Sequence, residues 1–550
     1  MLIKPIKIEE IPFDELKKYL DKRLFAIPDI QRNFVWNKKK VILLLDSIRK
    51  HYPIGSFLIC KIPSWKVKRI REGVLLPDFD KKNKYCYVVV DGQQRLSVVY
   101  SLLYGKIIKT NSFFRDIDPK MICLSSSKRT ELAFEFFNKN MKNPVKLFDV
   151  LNGRDNSRIS KGRRKKIIQC KKSFEKYSFP FIFIDDYDDQ ELKKAFYRLN
   201  TGGTNLSTVD KFYTEAYHKD VDLRRHCDNL IEHDFKHGFE EINGIFVVRA
   251  IAANSEVKDF FGTKLSSFAK EISKPRNNTH KIYKKNRKKI FESLRKSHDF
   301  LLDIFPDASY IPYPAMLSIL SIFFYNNDNF SPTPPQMNEL MKWFWVTGFT
   351  QRYVGEKQRD NQLNDANEMK KLAKHSKYKI NLEGKIEQSK LSIDKLISKP
   401  YNKRGAVRNS FFCYLLSKEP REFTNGQKMS IGKDVASLFN SKNDHHIFPK
   451  KILQDEGYNL DYINQLGNIC FLTFNENVRK IRSSPPWNYL TEFIKNKNFR
   501  KVLASHIIPH NSCVLTKGNV SDKYKKFLDI RYNKIKNDLT RMMGKKYVID

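Results

Sequence analysis

The chain has 550 residues, of which 41% are hydrophobic and 13% aromatic, and this composition excludes an intrinsically disordered protein. The length predicts about three or four domains. Lys and Arg number 102 against 61 Asp and Glu, which gives a formal net charge of +41. Basic surface gains free energy from counterion release, so this excess predicts a polyanionic partner such as nucleic acid. An AT-rich genome that favours Lys is the alternative, although it does not readily explain the shortage of acids.

Cysteine usage and apolar runs bear on the compartment. The eight cysteines contain no Cys-x-x-Cys pair, which argues against a zinc ribbon or a disulfide framework and favours a reducing cytoplasm. Met1–Glu10 lacks a signal-peptide core. The longest apolar stretches, such as Ala315–Tyr325, are too short to span a bilayer. We therefore expect a cytoplasmic protein with no membrane partner.

Residues 1–220 predict a mixed α/β domain. Apolar residues at helical spacing indicate the helices, and β-branched and aromatic runs indicate the strands. The predicted elements are, in chain order, the helix Lys38–Lys50, the strands Ser56–Ile62 and Tyr85–Val90, the helix Leu96–Tyr104 closed by Gly105, the strand Phe179–Ile184 and the helix Asp188–Asn200.

The rest of the chain predicts two further regions. Residues 221–404 are Lys-rich and mostly helical, without a repeat, and end in a charged linker at Asn381–Pro400. We expect this region to couple the domains and to supply basic DNA-binding surface. Residues 405–550 form the last predicted domain. It closes with the basic helix Asp522–Met543, whose charges we expect on a solvated or DNA-facing side. The fold class is therefore an α+β multidomain protein.

A histidine motif begins the candidate site of the last domain, in the segment Asp444-His445-His446-Ile447-Phe448-Pro449. A neutral imidazole can take a proton from water near pH 7, so His446 is the candidate general base. Adjacent side chains of a strand point to opposite faces, so both histidines face one metal only where the backbone is irregular. A capped loop with satisfied imidazoles is the alternative for the dipeptide alone. A second His-Ile-Ile-Pro, at His506, lacks a strand with a matching asparagine, and we interpret it as structural.

Two asparagines that follow the histidines belong to the same candidate site. Asn468 lies in a predicted strand, Gly467–Phe474, and Asn477 lies at the start of a predicted helix. Lys480 lies about one turn further on and can contact phosphate. Together with the histidines, these residues predict a one-metal nuclease site.

The segment resembles a ββα-metal (His-Me finger, HNH) nuclease. Matched to that motif, His446 takes the general-base position and His445 takes a metal-ligand position that is often Asp. Asn477 takes the second metal-ligand position, and Asn468 that of the asparagine that orients the histidine or its loop. The resemblance implies Mg²⁺ or another divalent cation. Since His445 replaces Asp, a contribution from Asp444 and a preference for a softer ion such as Mn²⁺ stay open.

The N-terminal domain carries a second candidate site, Asp91-Gly92-Gln93-Gln94-Arg95, at a predicted strand-to-helix junction. Gly92 allows a tight turn and the close approach of a ligand to the backbone. Amides at a helix N-terminus suit phosphate, and Arg95 can add a bidentate contact. Asp91 can hold a metal or a ribose hydroxyl. Upstream, Gln31 and Arg32 form a second polar pair. A turn with a surface arginine is the alternative for each loop alone, and the chain contains no Gly-x-x-x-x-Gly-Lys-Ser/Thr motif.

Together these loops resemble a specific family. The order Pro-x-x-Gln-Arg-x-Phe-Val-Trp, Ser-Ile-x-x-x-Tyr-Pro-Ile-Gly, Val-Asp-Gly-Gln-Gln-Arg and Arg-x-Asn-Thr-Gly-Gly resembles the GmrS-type, ParB/sulfiredoxin-like domain. That family is typically joined to a GmrD-type His-Me finger nuclease, as in GmrSD-like type IV restriction enzymes. The resemblance implies an anti-phage endonuclease that cuts modified DNA, with nucleoside triphosphate bound or hydrolysed by the N-terminal domain. It assigns nucleotide binding to Asp91, Gly92, Gln93, Gln94 and Arg95, with Gln31 and Arg32 as neighbours.

Two other functions stay open. One is a DNA-binding regulatory protein with a silent nuclease fold, and the other is a nucleotide-gated nuclease toxin. One site of this kind cuts one strand, so a double-strand break requires a homo-oligomer or two successive nicks. The sequence does not indicate which DNA modification is recognised or which nucleotide is bound. It also does not indicate whether the nucleotide activates or restrains cutting.

Overall fold

A computed structural model describes most of the chain in two compact units, Met1–Tyr217 and His218–Asp550. The protein is α+β, with a mixed sheet and a large share of helix. The described residues are 6–28, 31, 34, 36–66, 76–109, 116–125, 133–138, 141, 144–153, 161–185, 191, 195, 208–216, 218, 221–239, 242–257, 260, 264–382, 391–392, 396, 398–400, 405–429, 446–472, 484–493 and 497–549.

The first unit contains strands and helices in alternation. Its strands are β1 (Ile6–Pro12), β2 (Phe25–Ala26), β3 (Phe57–Pro63), β4 (Tyr85–Asp91), β5 (Ile122–Leu124), β6 (Phe134–Phe136) and β7 (Ser178–Asp185). Its helices are α1 (Phe13–Asp21), α2 (Lys38–Arg49), α3 (Gln93–Tyr104), α4 (Leu147–Leu151), α5 (Lys161–Glu175) and α6 (Thr208–Ala216).

Five of these strands form a mixed sheet in the order β1-β7-β3-β4-β2. The pairs β1–β7 and β3–β4 are antiparallel, whereas β7–β3 and β4–β2 are parallel. Side chains from both faces of β4 are buried, Val89 on one face and Val88 and Val90 on the other. Because the central strands are buried on both faces, they read as continuous apolar runs in the sequence.

The predictions for this unit are largely confirmed. The helices at residues 38 and 96 and the strands at residues 56, 85 and 179 all occur, with ends shifted by up to three residues. Gly105 ends α3 with φ of 65°, as the sequence predicts. Of the predicted helix Asp188–Asn200, only Glu191 and Ala195 are described, and both are helical.

The second unit is mostly helical in its described part. Its helices are α7 (Leu223–Asn229), α8 (Ile245–Asn254), α9 (Lys264–Ile272), α10 (Asn278–Ile304), α11 (Ala315–Asn326), α12 (Pro334–Phe349), α13 (Gln358–Lys374), α14 (Ala406–Leu416), α15 (Lys450–Asp455), α16 (Leu460–Ile463), α17 (Pro486–Phe493), α18 (Phe499–Ser505), α19 (Ser512–Leu515) and α20 (Val520–Met543). A π-helical turn, Leu230–Asp234, follows α7, and the strands β8 (Leu391–Ser392) and β9 (Val548–Ile549) pair in parallel.

The apolar run at residue 315 forms a buried helix of this unit. Every residue from Ala315 to Phe324 is buried, and α11 packs against α8, α10 and α13. Helix α12 packs against both α14 and α20. In the described residues, no helix is long and apolar enough to cross a bilayer. The division of this unit at residue 404 stays a prediction.

Two predicted features of the last region are wrong. The segment predicted as a strand from Gly467 begins with a 3₁₀ turn, Leu466–Asn468, and its described part continues with a single bridge between Ile469 and His446. The helix at residue 522 occurs, but it does not place all of its charges toward solvent, because Arg531 is completely buried. In the predicted linker Asn381–Pro400, the backbone carbonyl of Lys399 accepts a hydrogen bond from the Leu466 N–H at 2.9 Å. The C-terminal end of the linker therefore packs on the turn that carries Asn468.

Candidate functional site

The imidazole of His446 is buried and held by a nearby amide. Only 3% of the residue is exposed, and Nε2 lies 2.9 Å from Oδ1 of Asn464. An amide oxygen accepts hydrogen bonds, so Nε2 carries the proton of the neutral ring and Nδ1 carries the basic lone pair. This bond fixes the plane of the ring and leaves Nδ1 as its basic nitrogen.

Asn468 fixes the turn that follows His446. This completely buried side chain accepts a hydrogen bond from the Phe448 backbone N–H at 2.9 Å and donates to the Phe448 carbonyl at 3.0 Å. Its amide also donates to the Ile463 carbonyl at 3.1 Å. The backbone adds a bond from the Ile447 N–H to the Asn468 carbonyl at 2.8 Å. These bonds couple the position of His446 to the turn at residue 468.

Arg531 braces that turn from the C-terminal helix. Its guanidinium donates to the carbonyls of Gly467 at 2.6 Å and Ile469 at 2.7 Å, on either side of Asn468, and to that of His506 at 3.1 Å. Burial lowers the pKa of Arg531 to about 10, so the group stays charged at neutral pH. A buried cation that serves three carbonyls fixes the local backbone path.

Two further contacts complete the support of the loop. The Tyr489 hydroxyl donates to the Ile447 carbonyl at 2.7 Å. Pro449 precedes the first residue of α15, so the loop passes directly into a helix. Neither Asn464 nor Tyr489 was singled out by the sequence, because their partners lie 18 and 42 residues away and no local pattern connects them.

His506, interpreted from the sequence as structural, is buried in the same core. It stacks on Phe423 with ring centroids 4.7 Å apart, and its Nε2 donates to the Arg421 carbonyl at 2.7 Å. Burial lowers its pKa to about 4, with Arg531 acting in the same direction. These contacts support the structural interpretation.

The remaining predicted residues of this site, Asp444, His445, Asn477 and Lys480, lie outside the described residues. The donor atoms that the resemblance assigns to a cation are an imidazole nitrogen, an amide oxygen and a carboxylate oxygen. Oxygen donors suit Mg²⁺ and Mn²⁺, and the nitrogen favours the softer ion. The set therefore fits a divalent cation by its chemistry.

The second candidate site lies at the predicted strand-to-helix junction. Strand β4 ends at Asp91, and α3 begins at Gln93. Gly92 between them has φ of 97°, and a Cβ there would lie 2.6 Å from Cδ1 of Phe57. Glycine is therefore required at this position for both conformation and space.

Arg95 is engaged with its own domain. It donates to the carbonyls of Ile54 at 2.6 Å and Ser56 at 3.0 Å, and pairs with Asp91 at 3.0 Å. Its guanidinium also lies 5.1 Å from the centre of the Phe57 ring. Both terminal nitrogens thus bond to protein, and a phosphate contact has to use the remaining N–H groups. In this structure Arg95 joins the 54–56 loop to the junction.

The upstream polar residue Gln31 reaches the same junction. Its buried amide donates to the carbonyls of Val89 at 3.2 Å and Val90 at 2.7 Å, next to Asp91. Gln93 is also buried, and its Oε1 has no hydrogen-bond partner among the described residues. The structure therefore brings Gln31 to the Asp91–Arg95 segment, while Arg32 lies outside the described residues and Gln94 is half-buried.

The first unit resembles a known family of domains. Residues 13–216 match the model of the GmrSD restriction endonuclease, N-terminal domain, and these bounds nearly coincide with the first compact unit. This part of the chain is therefore similar to a GmrSD-type N-terminal domain. The chain is also 23% identical to the uncharacterized protein MJ0686 of Methanocaldococcus jannaschii, over 92% of this chain and 94% of that protein.

Proposed function

We propose that the protein is a metal-dependent endonuclease that cuts modified phage DNA in type IV restriction, with nucleoside triphosphate bound by its N-terminal domain. The observation that carries this proposal is the match of residues 13–216 to the GmrSD N-terminal domain. The net charge of +41 supports a polyanionic substrate.

His446 is the proposed general base. Its Nδ1 takes a proton from water, the hydroxide attacks the scissile phosphorus, and the bond to the 3′ oxygen breaks as that oxygen takes a proton from solvent. The hydrogen bond from Nε2 to Asn464 supports this role, because the ring keeps this donor when it becomes an imidazolium. Asn468 acts as a positioning residue through the Phe448 backbone, and Lys480 contacts phosphate.

The cation is assigned to His445 and Asn477, with Asp444 as an additional ligand. When bound, a divalent cation supplies Lewis-acid stabilisation of the charge that develops on the phosphate. This assignment rests on the ββα-metal resemblance and on the chemistry of the donor atoms.

The nucleotide is assigned to the Asp91–Arg95 junction. The positive φ of Gly92 and the amides that begin α3 support a phosphate at this place. The buried Oε1 of Gln93, which lacks a partner among the described residues, supports a polar ligand beside it. Gln31 and Arg32 complete the proposed site, and hydrolysis of the bound triphosphate is part of the proposal.

The proposed compartment is the cytoplasm. The eight cysteines, all of which the structure describes, are buried thiols and not disulfides, and this suits a reducing environment.

Cleavage of matched phage DNAs tests the proposed function. Unmodified, glucosyl-hydroxymethylated and phosphorothioated DNAs are incubated with Mg²⁺ or Mn²⁺, with and without each nucleoside triphosphate. We expect cutting of one modified DNA only, with a rate that depends on nucleotide. Equal cutting of all three DNAs would favour the nuclease toxin. Tight DNA binding without any cutting would favour the regulatory protein.

A further inference from the structure

A groove of about 760 Å³ lies in the second unit, away from the His446 loop in sequence. One wall is α7 with the π-helical turn Leu230–Asp234, and the other is the middle of α10. Its lining residues are His226, Asn229, Leu230, His233, Asp234, Arg287, Lys288, Lys289, Phe291, Glu292, Arg295 and Phe330.

Helix α10 brings a continuous basic surface to this groove. From Asn278 to Phe291 it has no acidic residue, and its basic residues are Lys281, Lys284, Lys285, Arg287, Lys288 and Lys289. A stripe of Lys281, Lys284 and Lys288 follows the i, i+3, i+7 spacing that places residues on one helix face. All three are exposed. The described ion pairs include none of them, so their charges are not compensated locally.

Both acids that line the groove pair with one arginine. Asp234 accepts from Arg295 at 2.7 Å, and Glu292 lies 3.3 Å from the same guanidinium. The charged residues that line the groove are four cations and two carboxylates, so the groove keeps an excess of two positive charges.

His226 holds Arg287 in place without reducing its charge. Arg287 donates to Nε2 of His226 at 2.8 Å, and the other ring nitrogen lies 2.9 Å from the Tyr283 hydroxyl. An Nε2 that accepts from a guanidinium carries no proton, so Nδ1 donates to Tyr283. Burial, reinforced by Arg287, lowers the pKa of His226 to about 4, which keeps the ring neutral. An oriented guanidinium beside a neutral acceptor is suited to bind an anion.

We propose that this groove and the Lys281–Lys284–Lys288 stripe bind the phosphate backbone of duplex DNA. The inference deepens the proposed function, on which it rests for the choice of DNA as the polyanion. From Lys281 to Arg295 the helix rises about 21 Å. This length corresponds to about six base-pair steps at 3.4 Å each. Backbone contacts carry no sequence information, so the groove supplies affinity and orientation rather than recognition of the modification.

Binding is tested with the variant K281Q/K284Q/K288Q and the matched control K370Q/K374Q/K377Q. The control removes three exposed lysines from α13 and the turn after it, in the same unit. Both are made in the full chain with His446→Ala and measured in EDTA, so that binding is separated from cutting. Fluorescence anisotropy of a labelled duplex gives the dissociation constant at several salt concentrations.

The stripe variant is expected to bind more than about tenfold more weakly at physiological salt, with a salt slope smaller by about 3. The control is expected to stay within about twofold of its parent. Equal binding by the two variants, or no binding by the parent, would overturn the proposal. Since all six lysines are exposed, equal urea midpoints are expected and exclude misfolding as the cause.

The outcome is independent of cleavage. Loss of binding in the stripe variant supports the groove even where the wild-type chain cuts no DNA, which would contradict the proposed function alone. The opposite result is that the wild-type chain cuts DNA while the stripe variant binds as tightly as its parent. This result would contradict DNA binding by the groove and would not contradict the endonuclease activity.

Discussion

The Asn468 side chain makes a hydrogen bond in each direction with the backbone of Phe448, accepting from its N–H at 2.9 Å and donating to its carbonyl at 3.0 Å. Phe448 lies two residues beyond His446, in the loop that leads to α15. An amide matches both backbone groups at once, whereas a carboxylate or a hydrocarbon cannot. The pairing therefore makes the His446 loop depend on an asparagine at position 468.

Replacement of Asn468 tests this dependence. Asn468→Ala leaves three buried backbone groups without their partner, so we expect a loss of unfolding free energy of about 3 kcal/mol. Asn468→Asp keeps the acceptor for the Phe448 N–H and loses both donated bonds, and we expect the same direction of change. Urea denaturation measures the loss. An unchanged midpoint for Asn468→Ala would contradict the assigned contacts.

Arg531 is expected to be essential for the same turn. Arg531→Met leaves three buried carbonyls without their hydrogen-bond donor, and it also removes the cost of burying a charge. We expect the first effect to be larger, with a loss of unfolding free energy of about 3 kcal/mol or more. Arg531→Lys keeps the charge but not the forked geometry, so an intermediate loss is expected. The exposed Arg500→Met is the control, with a change within about 0.5 kcal/mol. Equal urea midpoints for Arg531→Met and Arg500→Met would refute this role.

The success of the sequence predictions varied with the range of the interactions involved. The Asp91–Arg95 junction was predictable because a β-branched run, a glycine and an apolar helix face are local patterns. The strand at residue 467 was wrong because the carbonyls of Gly467 and Ile469, which a strand would offer to its neighbour, are taken by the Arg531 side chain. These hydrogen bonds are tertiary contacts, because Arg531 lies 62 or more residues away from the two carbonyls in sequence.

One missed residue left a signal in the sequence. Arg531 occupies the apolar face of α20, in register with the buried Tyr524, Phe527, Ile535 and Leu539. A single charge at a core position of an amphipathic helix indicates a buried, bonded cation rather than a surface one. Asn464 left no comparable signal, since only the fold brings it to His446.

Gly92 is expected to tolerate no side chain. Gly92→Ala combines a positive φ with a Cβ 2.6 Å from Phe57, whereas Gly153→Ala has a positive φ of 65° but only the end of a lysine within 4 Å. We expect Gly153→Ala to cost about 1 kcal/mol and Gly92→Ala clearly more. Thermal unfolding of the full chains compares the two, and equal shifts of Tm would contradict the close approach to Phe57.

His506 is expected to make the fold sensitive to acid. Its pKa is lowered to about 4 in the folded state, so between pH 6.5 and pH 4 the unfolded chain binds a proton that the folded chain does not. Its contribution is therefore fully present above pH 6.5 and is lost as pH falls, by about 3 kcal/mol in total. His506→Gln keeps a donor for the Arg421 carbonyl and cannot become charged.

The stability difference between wild type and His506→Gln, from urea unfolding at pH 7 and pH 4.5, checks this prediction. The difference is expected to shift in favour of the variant at the lower pH. A difference that does not change with pH would show that His506 titrates alike in both states.

The rate of DNA cutting by His446→Ala, compared with wild type and His506→Gln on the modified DNA that the wild-type chain cuts, tests the central claim most directly. General-base catalysis contributes about 10²-fold or more. We predict that His446→Ala loses at least that factor while it still unfolds cooperatively in urea and keeps its affinity for DNA within about twofold, and that His506→Gln cuts like wild type. Cutting by His446→Ala at the wild-type rate would contradict the account.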